Sequence, residues 1–385
     1  MWNKIMIIAG FLCAAIAFYL VTRLRRFSFV RNLAGKYPAL GWILPIAAVA
    51  VVALVFLLAF NLTTMAVVLL HLMLGFLLTD LVFLFLPKGE SKDLQCLIAL
   101  GIAVLYLGIG WFNAWHVYRK SYDVTTTKDL SQLVSVHDDG TQSLRVVAFA
   151  DSHLGITLSR RNIEKQIRRI QAENPDLVVI VGDYVDDDSS KEDMIACCEA
   201  LGKLETRYGV YFVYGNHDNG YFNYRNFSSQ ELRDNLSANG VTILEDESVL
   251  LGGKELPAAA SGKTFEQGGF YLIGRRDRSM RNRETAQNLT KDLPDDAFSL
   301  MLDHQPNDYA NETESGTDLV LSGHTHGGHI FPAGLIGLWM GANDRVYGSE
   351  VRGNTTFIVT SGISGWAIPF KTGTFSEYVV VDIHN

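Results

Sequence analysis

The sequence predicts two unlike parts: an N-terminal region of four transmembrane helices, then an α/β domain built on two sheets packed face to face and flanked by helices. Three observations predict this. Charges are sparse and apolar runs long between Trp2 and Trp115. From Leu144 onward the composition is that of a soluble globular domain. In that second part, short apolar runs alternate with stretches of helical spacing, the pattern of βαβ units around a sheet buried on both faces. The boundaries read as 1–118 for the membrane helices, 119–143 for a polar linker and 144–385 for the α/β domain.

A bilayer-spanning helix needs roughly 20 mostly apolar residues. Four segments qualify: Ile5 to Thr22, Leu40 to Phe60, Leu62 to Leu86, and Leu94 to Trp115. Only Lys4 precedes the first, no small-residue cleavage site follows it, and three more apolar segments lie behind it, so it is not read as a cleaved signal peptide. The first loop carries Arg23, Arg25, Arg26, Arg31 and Lys36, which places it on the cytoplasmic side by the positive-inside rule. Lys88 and Lys92 in the loop from Pro87 to Asp93 fit the same side, and a tight turn near Asn61 joins the second and third segments. Four crossings of the cell membrane from that start put both termini, and with them the α/β domain, outside the cytoplasm, although Arg119 and Lys120 pull the other way. Asp80 lies near the end of its segment and is expected to reach the interface. His71, nearer the middle, is expected to hydrogen-bond a neighbouring helix. No ion pathway is visible, which speaks against a transporter.

In the α/β part, Leu144 to Ala150 is a β-type run that stops at Asp151-Ser152-His153. Ser159 to Ala172 has helical spacing, with Ile163, Ile167 and Ile170 on one face, and Pro175 ends it. Leu177 to Val181 is a strand that stops at Gly182-Asp183. A helix about Lys191 to Leu204 follows, then the strand Val210 to Tyr214, which stops at Gly215-Asn216-His217-Asp218. The remainder is richer in strands: Val241 to Leu244, Phe270 to Gly274, Phe298 to Asp303, Leu319 to Leu321, Thr356 to Thr360 and Glu377 to Ile383. Two of these end in histidines, His304 and Gly323-His324-Thr325-His326.

Polar residues just beyond strand C-termini occupy the usual place for a site in an α/β sheet. Here they are Asp151, His153, Asp183, Asn216, His217, His304, His324 and His326. Burying two carboxylates and several imidazoles together is costly unless something compensates. Two divalent cations do so, and imidazole with carboxylate and amide oxygens suits Mn, Fe or Zn better than Ca or Mg. Two metals roughly 4 Å apart can hold a phosphate, lower the pKa of a bridging water and stabilise a leaving oxygen. An isolated Asp-x-His or Gly-Asp pair arises often by chance. The Gly-Asn-His-Asp and Gly-His-Thr-His blocks are far more specific, and the ordered series is more specific still. Cysteine gives no competing metal site: Cys13, Cys96 and the adjacent Cys197 and Cys198 form no CxxC spacing and no disulfide framework.

This series, over about Leu144 to Asn385, resembles the calcineurin-like metallophosphoesterases. That resemblance implies a four-layer αββα sandwich and a set of roles. Asp151, His153 and His326 hold one metal; Asn216, His304 and His324 hold the other; Asp183 bridges them. His217 donates a proton to the leaving group or stabilises the transition state, and Asp218 orients it. The block Ser322 to Gly328 is similar to a membrane-associated branch, which includes UDP-2,3-diacylglucosamine pyrophosphatases of the calcineurin-like type and transmembrane proteins with a metallophosphoesterase domain. Where that branch often has Gln, this chain has His329, expected beside the metals or at the surface rather than as a further ligand.

The resemblance makes the chain a metal-dependent phosphoric ester hydrolase of phosphodiesterase or pyrophosphatase type, with metal-hydroxide attack on phosphorus. Arg275, Arg276, Arg278, Arg281 and Arg283 cluster after the strand Phe270 to Gly274. They read either as a solvated loop or, through Arg275, Arg276 and Arg278, as a clamp on phosphate, because guanidinium forks match phosphate oxygens. The expected partners are a phosphorylated, lipid-linked substrate and membrane lipid. Nucleic acid is not expected: 33 Lys+Arg against 41 Asp+Glu give a net charge of −8. The competing readings are an anchored phosphoesterase acting on soluble nucleotides or phosphoproteins, and a catalytically silent membrane sensor.

Overall fold

The structure, a computed structural model, describes residues 2–85, 91–220, 225–252 and 269–385. The chain divides into two compact units, Met1–Phe112 and Asn113–Asn385.

The first unit consists of helices α1 (Trp2–Leu24), α2 (Ser28–Lys36), α3 (Leu40–Ala59), α4 (Leu62–Phe83) and α5 (Lys92–Trp115, ending just past the unit boundary). The expected turn at Asn61 is present, and the Asn61 side chain caps α4 by accepting from the Thr64 amide at 2.8 Å. Three helices among the described residues, α3, α4 and α5, are long and apolar enough to cross a membrane; α1 contributes a shorter apolar stretch, Gly10–Leu24. The expected count of four is thus met clearly by three. Lys88, used in the orientation reading, lies outside the described residues. His71 Nδ1 is 2.8 Å from the Val67 carbonyl of its own helix, and its ring tilts against Tyr106 of α5. Asp80 does more than reach an interface. It pairs with Arg23 at 2.7 Å and with Arg26, and accepts from Gln95 at 2.8 Å and Tyr19 at 3.2 Å. Its charge ties α1, α4 and α5 at one end of the bundle.

The second unit contains β1 (Val117–Thr125), β2 (Ser135–Val136), β3 (Gln142–Phe149), α6 (Ile163–Gln171), β4 (Leu177–Val181), α7 (Lys191–Leu201), β5 (Val210–Val213), α8 (Ser229–Ala238), β6 (Val241–Ile243), β7 (Glu247–Leu251), β8 (Phe270–Gly274), α9 (Ala286–Thr290), β9 (Phe298–Leu302), α10 (Tyr309–Glu314), β10 (Leu319–Ser322), α11 (Ala333–Trp339), β11 (Gly348–Arg352), β12 (Thr355–Val359) and β13 (Ser376–His384). The stretch expected as linker therefore holds ordered strands. β1 pairs with β13 in parallel over its whole length.

One mixed sheet runs β1-β13-β3-β4-β5-β6, with β2 on β3, and the other runs β11-β12-β10-β9-β8-β7. Inner strands such as β4, β8 and β9 read as unbroken apolar runs because both faces are buried. Along β3, Leu144, Val146 and Ala148 join a core shared with Phe270, Leu272, Leu300, Leu302, Leu321 and Ile358 of the other sheet. The alternate residues Val147 and Phe149 pack with Ile163, Ile167 and Ile170 of α6 and Met194 and Cys198 of α7. On the second sheet, Ile273, Met301, Val320, Phe357 and Val359 pack with Ala286 and Tyr309 of α9 and α10. This two-residue period sorts each strand's side chains between the shared core and the helices.

Candidate metal centre

Each expected ligand sits in the first residues after a strand. Asp151 and His153 follow β3, Asp183 follows β4, Asn216 and His217 follow β5, His304 follows β9, and His324 and His326 follow β10. The loops are laced together through the backbone: Asp151 N donates to Gly182 O at 3.0 Å, His153 N to Asp183 O at 3.1 Å, and Gly323 N to His304 O at 3.0 Å. Close loop packing explains the glycines. A Cβ on Gly215 would stand 2.2 Å from the Asp183 carboxylate. The ligands themselves carry the strain: Asp151, His153, Asp183, His324 and His326 all have φ between 35° and 69°. Non-glycine residues held there cost of order 1–3 kcal/mol each, and such strain gathers at functional sites.

Three groups of ligand atoms form, each with its atoms within 4.8 Å of one another; two of them are Asp151, His153 and His326, and Asp183, His304 and His324, and the third is His153, Asp186 and His217. Asp183 stands between the groups, its Oδ2 being 3.1 Å from His304 Nε2 and 3.6 Å from His153 Nε2. His153 Nε2 and His326 Nε2 approach to 3.1 Å. Two imidazole nitrogens at that distance need a shared proton or a cation. His304 Nδ1 lies 2.8 Å from the Val181 carbonyl, so the tautomer that donates there turns the Nε2 lone pair into the site. His304 Nε2 and Asn216 Oδ1 are buried without a hydrogen-bond partner. Orphaned lone pairs on buried imidazole and amide groups fit a borderline divalent cation.

The electrostatics show the same deficit of positive charge. Burial, with Asp183 nearby, pushes the Asp151 carboxyl up to about 6 against the pull of His304 and His153. Burial alone would raise Asp183, yet His304 and His153 hold it below the carboxylate range. Burial would lower His304, and Asp183 instead lifts it well above the usual imidazole value. His324 falls to about 4 through burial and the charge of His304.

His217 is held differently from expectation. Its Nδ1 lies 2.8 Å from Asp186 Oδ1, and the other oxygen of Asp186 lies 3.0 Å from His153 Nδ1. Burial would lower His217, but Asp186 raises it above its ordinary value. Asp218, expected to orient His217, is engaged elsewhere. Its carboxylate accepts from the amides of Asp183, Tyr184, Val185 and Gly215 at 2.7–3.1 Å, which braces the loop carrying Asp183. Its charge raises His217.

The arginine run also departs from expectation. Arg275 is 4% exposed, and its guanidinium pairs with Asp303 at 3.0 Å, Asp308 at 2.7 Å and Glu312 at 3.5 Å. Arg276 leans on Asp246 at 3.7 Å, and Arg283 pairs with Asp303. Arg275 is therefore spent on structure, and Arg278 alone of the three expected substrate contacts is exposed.

Three further residues escaped the sequence reading. Asp277, fully buried, accepts from Gln305 at 2.9 Å and raises His304 by its charge. Lys371 donates to the carbonyls of Ser361 at 2.7 Å and Gly362 at 3.1 Å; a Cβ on Gly362 would stand 2.6 Å from Asp151 Cβ, so Lys371 secures the backbone behind that ligand. The Trp366 ring lies 5.6 Å from His217 and 6.5 Å from His326 and forms an open wall of the site. His329, stacked on His326 at 5.3 Å, lies beside the cluster as expected.

Residues 144–328 match the family model of the calcineurin-like phosphoesterases. An uncharacterized metallophosphoesterase of Campylobacter jejuni is 29% identical over 243 residues, covering 63% of this chain and 59% of that protein. A Bos taurus protein named transmembrane protein with metallophosphoesterase domain is 27% identical over 307 residues, covering 76% and 63%. Its namesake in Danio rerio is 30% identical over 245 residues, covering 61% and 52%. The chain spans less than two thirds of the length of each of these three relatives.

Proposed function

Since the chain carries a calcineurin-like metallophosphoesterase domain, we propose that it is a membrane-bound dinuclear-metal phosphohydrolase acting on a phosphate diester or pyrophosphate of a lipid or membrane-near substrate. The two sheets with helices on their outer faces are read as the four-layer αββα sandwich of that family. The observation that carries the proposal is the Asp183 carboxylate, within 3.1 Å of one histidine group and 3.6 Å of the other.

In this reading Asp151, His153 and His326 would hold one cation and Asn216, His304 and His324 the other, with Asp183 as the ligand that would be common to the two. Mn, Fe or Zn there would neutralise phosphate and make water nucleophilic at neutral pH. The chain's own residues then orient and donate. His217, which Asp186 raises above its ordinary value, would turn its Nε2 toward the leaving oxygen and give it a proton. Trp366 closes one side of the cleft, and Arg278 supplies an exposed positive charge. The helices α3, α4 and α5 cross the membrane, α1 is the fourth crossing, and the arginines from Arg23 to Arg31 face the cytoplasm, which leaves the catalytic unit outside.

The test is hydrolysis of bis-p-nitrophenyl phosphate by the detergent-purified chain, with and without Mn²⁺. Turnover that needs the metal and is lost in Asp183→Asn supports the reading. A folded protein inert with every divalent metal would favour the silent sensor.

A further inference from the structure

The loop that carries His324 and His326 does not end at the metals. Gly327 and Gly328, directly after His326, line a cavity of ≈ 460 Å³ whose apolar lining includes Phe331, Leu335, Leu338 and Val346. That volume falls within the range of small-molecule sites, about 300–1,000 Å³. Both walls are fastened to the ligand loop. One continues from it through Phe331 into α11. The other is tied by Thr325, whose hydroxyl donates to the Val346 carbonyl at 2.6 Å. Around the cavity α11 presents bare apolar side chains to solvent: Leu335 is 62% exposed and Trp339 88%. A soluble domain keeps so many large apolar groups exposed on one short element only at a cost, and a grouped patch of this kind marks an interaction site.

We infer that α11 and this cavity hold the apolar tail of an amphiphilic phosphate ester whose head group lies on the candidate metal centre; this rests on the proposed phosphohydrolase reading. The occupant has to satisfy two neighbours at once. Cations held by His324, His326 and their partners would take a phosphate, and the element continuing from that loop suits hydrocarbon. A lipid phosphoester combines the two in one molecule, whereas a free nucleotide or a phosphoprotein would leave the apolar wall uncovered. The chain also brings the catalytic unit to a source of such molecules. α5 is long and apolar enough to cross a membrane, and only His116 separates its end at Trp115 from the start of β1 at Val117.

The experiment has two arms on the full chain in phospholipid vesicles. In the first, a phosphatidylglycerol with a photoactivatable diazirine in one acyl chain is compared with a diacylglycerol bearing the same chain, and labelled peptides are mapped. Labelling of residues 331–347 by the phospholipid, well above that by the phosphate-free diacylglycerol, is the expected result. Equal labelling by both would mean that α11 meets bulk bilayer. No labelling there, as a face covered by a second copy of the chain would give, would also overturn the inference. In the second arm, Leu335→Ser and Leu338→Ser should lower kcat/KM for the lipid relative to that for bis-p-nitrophenyl phosphate by about tenfold, the scale of one lost buried leucine. An unchanged ratio beside active wild type removes the inference and leaves the phosphohydrolase standing. Wild type inert on both substrates takes both down.

Discussion

Two buried charge clusters lie in the catalytic unit, and they are built on opposite principles. One gathers Arg275, Arg283, Asp303, Asp308 and Glu312; the other gathers Asp151, Asp183, Asp186 and the histidines. In the first, two guanidiniums face the carboxylates of Asp303 and Asp308. Burial and the neighbouring Asp303 push Glu312 well above the carboxylate range, against the pull of Arg275. The charges cancel within the cluster's own walls. In the second, there is no lysine or arginine among the ligands, and His153 Nε2 and His326 Nε2 face one another at 3.1 Å. Burial alone does not mark a functional site. A deficit of positive charge, with lone pairs aimed at one point, does.

Substitutions can break this contrast. The largest effect is expected at Asp183, where replacement by Asn removes the charge common to both histidine groups. Metal-dependent hydrolysis should fall about a thousandfold or more, since a loss of several kcal/mol of charge stabilisation is at stake. Inductively coupled plasma analysis should show a matching loss of bound metal. His217→Ala should cost about a hundredfold or more in kcat, the scale of a lost general acid, with metal content retained.

Asp186→Asn sharpens the comparison through pH. Asp186 raises His217, so the proton that His217 donates is present below that raised value and lost as pH climbs through it. Removing the carboxylate lowers the His217 value, and the alkaline limb of the pH–rate profile should move to lower pH, with about a 10–100-fold loss of activity. Asp218→Asn would leave that limb nearly in place, because Asp218 holds backbone amides and not the imidazole. The smallest effect on catalysis is expected in the balanced cluster. Arg275→Met strands buried carboxylates and should cost about 3–5 kcal/mol of stability by thermal denaturation, while kcat/KM of the folded fraction stays near wild type.

What could be read from residues alone follows from the same physics. Strands buried on both faces announce themselves as unbroken apolar runs, and Leu177–Val181 and Phe270–Gly274 were bounded correctly. Polar residues immediately after such runs had to converge, which located Asp151, Asp183, His304 and the two histidine blocks. Edge strands carry no such signal: β1 reads Val-Tyr-Arg-Lys-Ser-Tyr-Asp-Val-Thr and buries few of its side chains. Asp186 sits in an Asp-Asp-Asp run that looks like a solvated loop, and only the fold shows that its first member faces two imidazoles. Arg275 misled for the converse reason. An arginine run suggests anion binding, yet the first arginine after a buried strand is itself buried. Lys371 and Trp366 lie far along the chain from any motif and left no trace in spacing.

The pairing of β1 with β13 also bears on how the catalytic unit can be separated from its helices. All nine residues from Val117 to Thr125 are matched to Ser376 through His384. A truncation beginning at Leu144, the boundary that composition suggests, would strip this strand and leave β13, with Val379, Val380 and Val381, as an open edge. Unpaired apolar edges template aggregation. A soluble fragment of this protein has to keep residue 117 onward, so the shortest well-behaved form of the second unit begins almost where the last apolar helix stops.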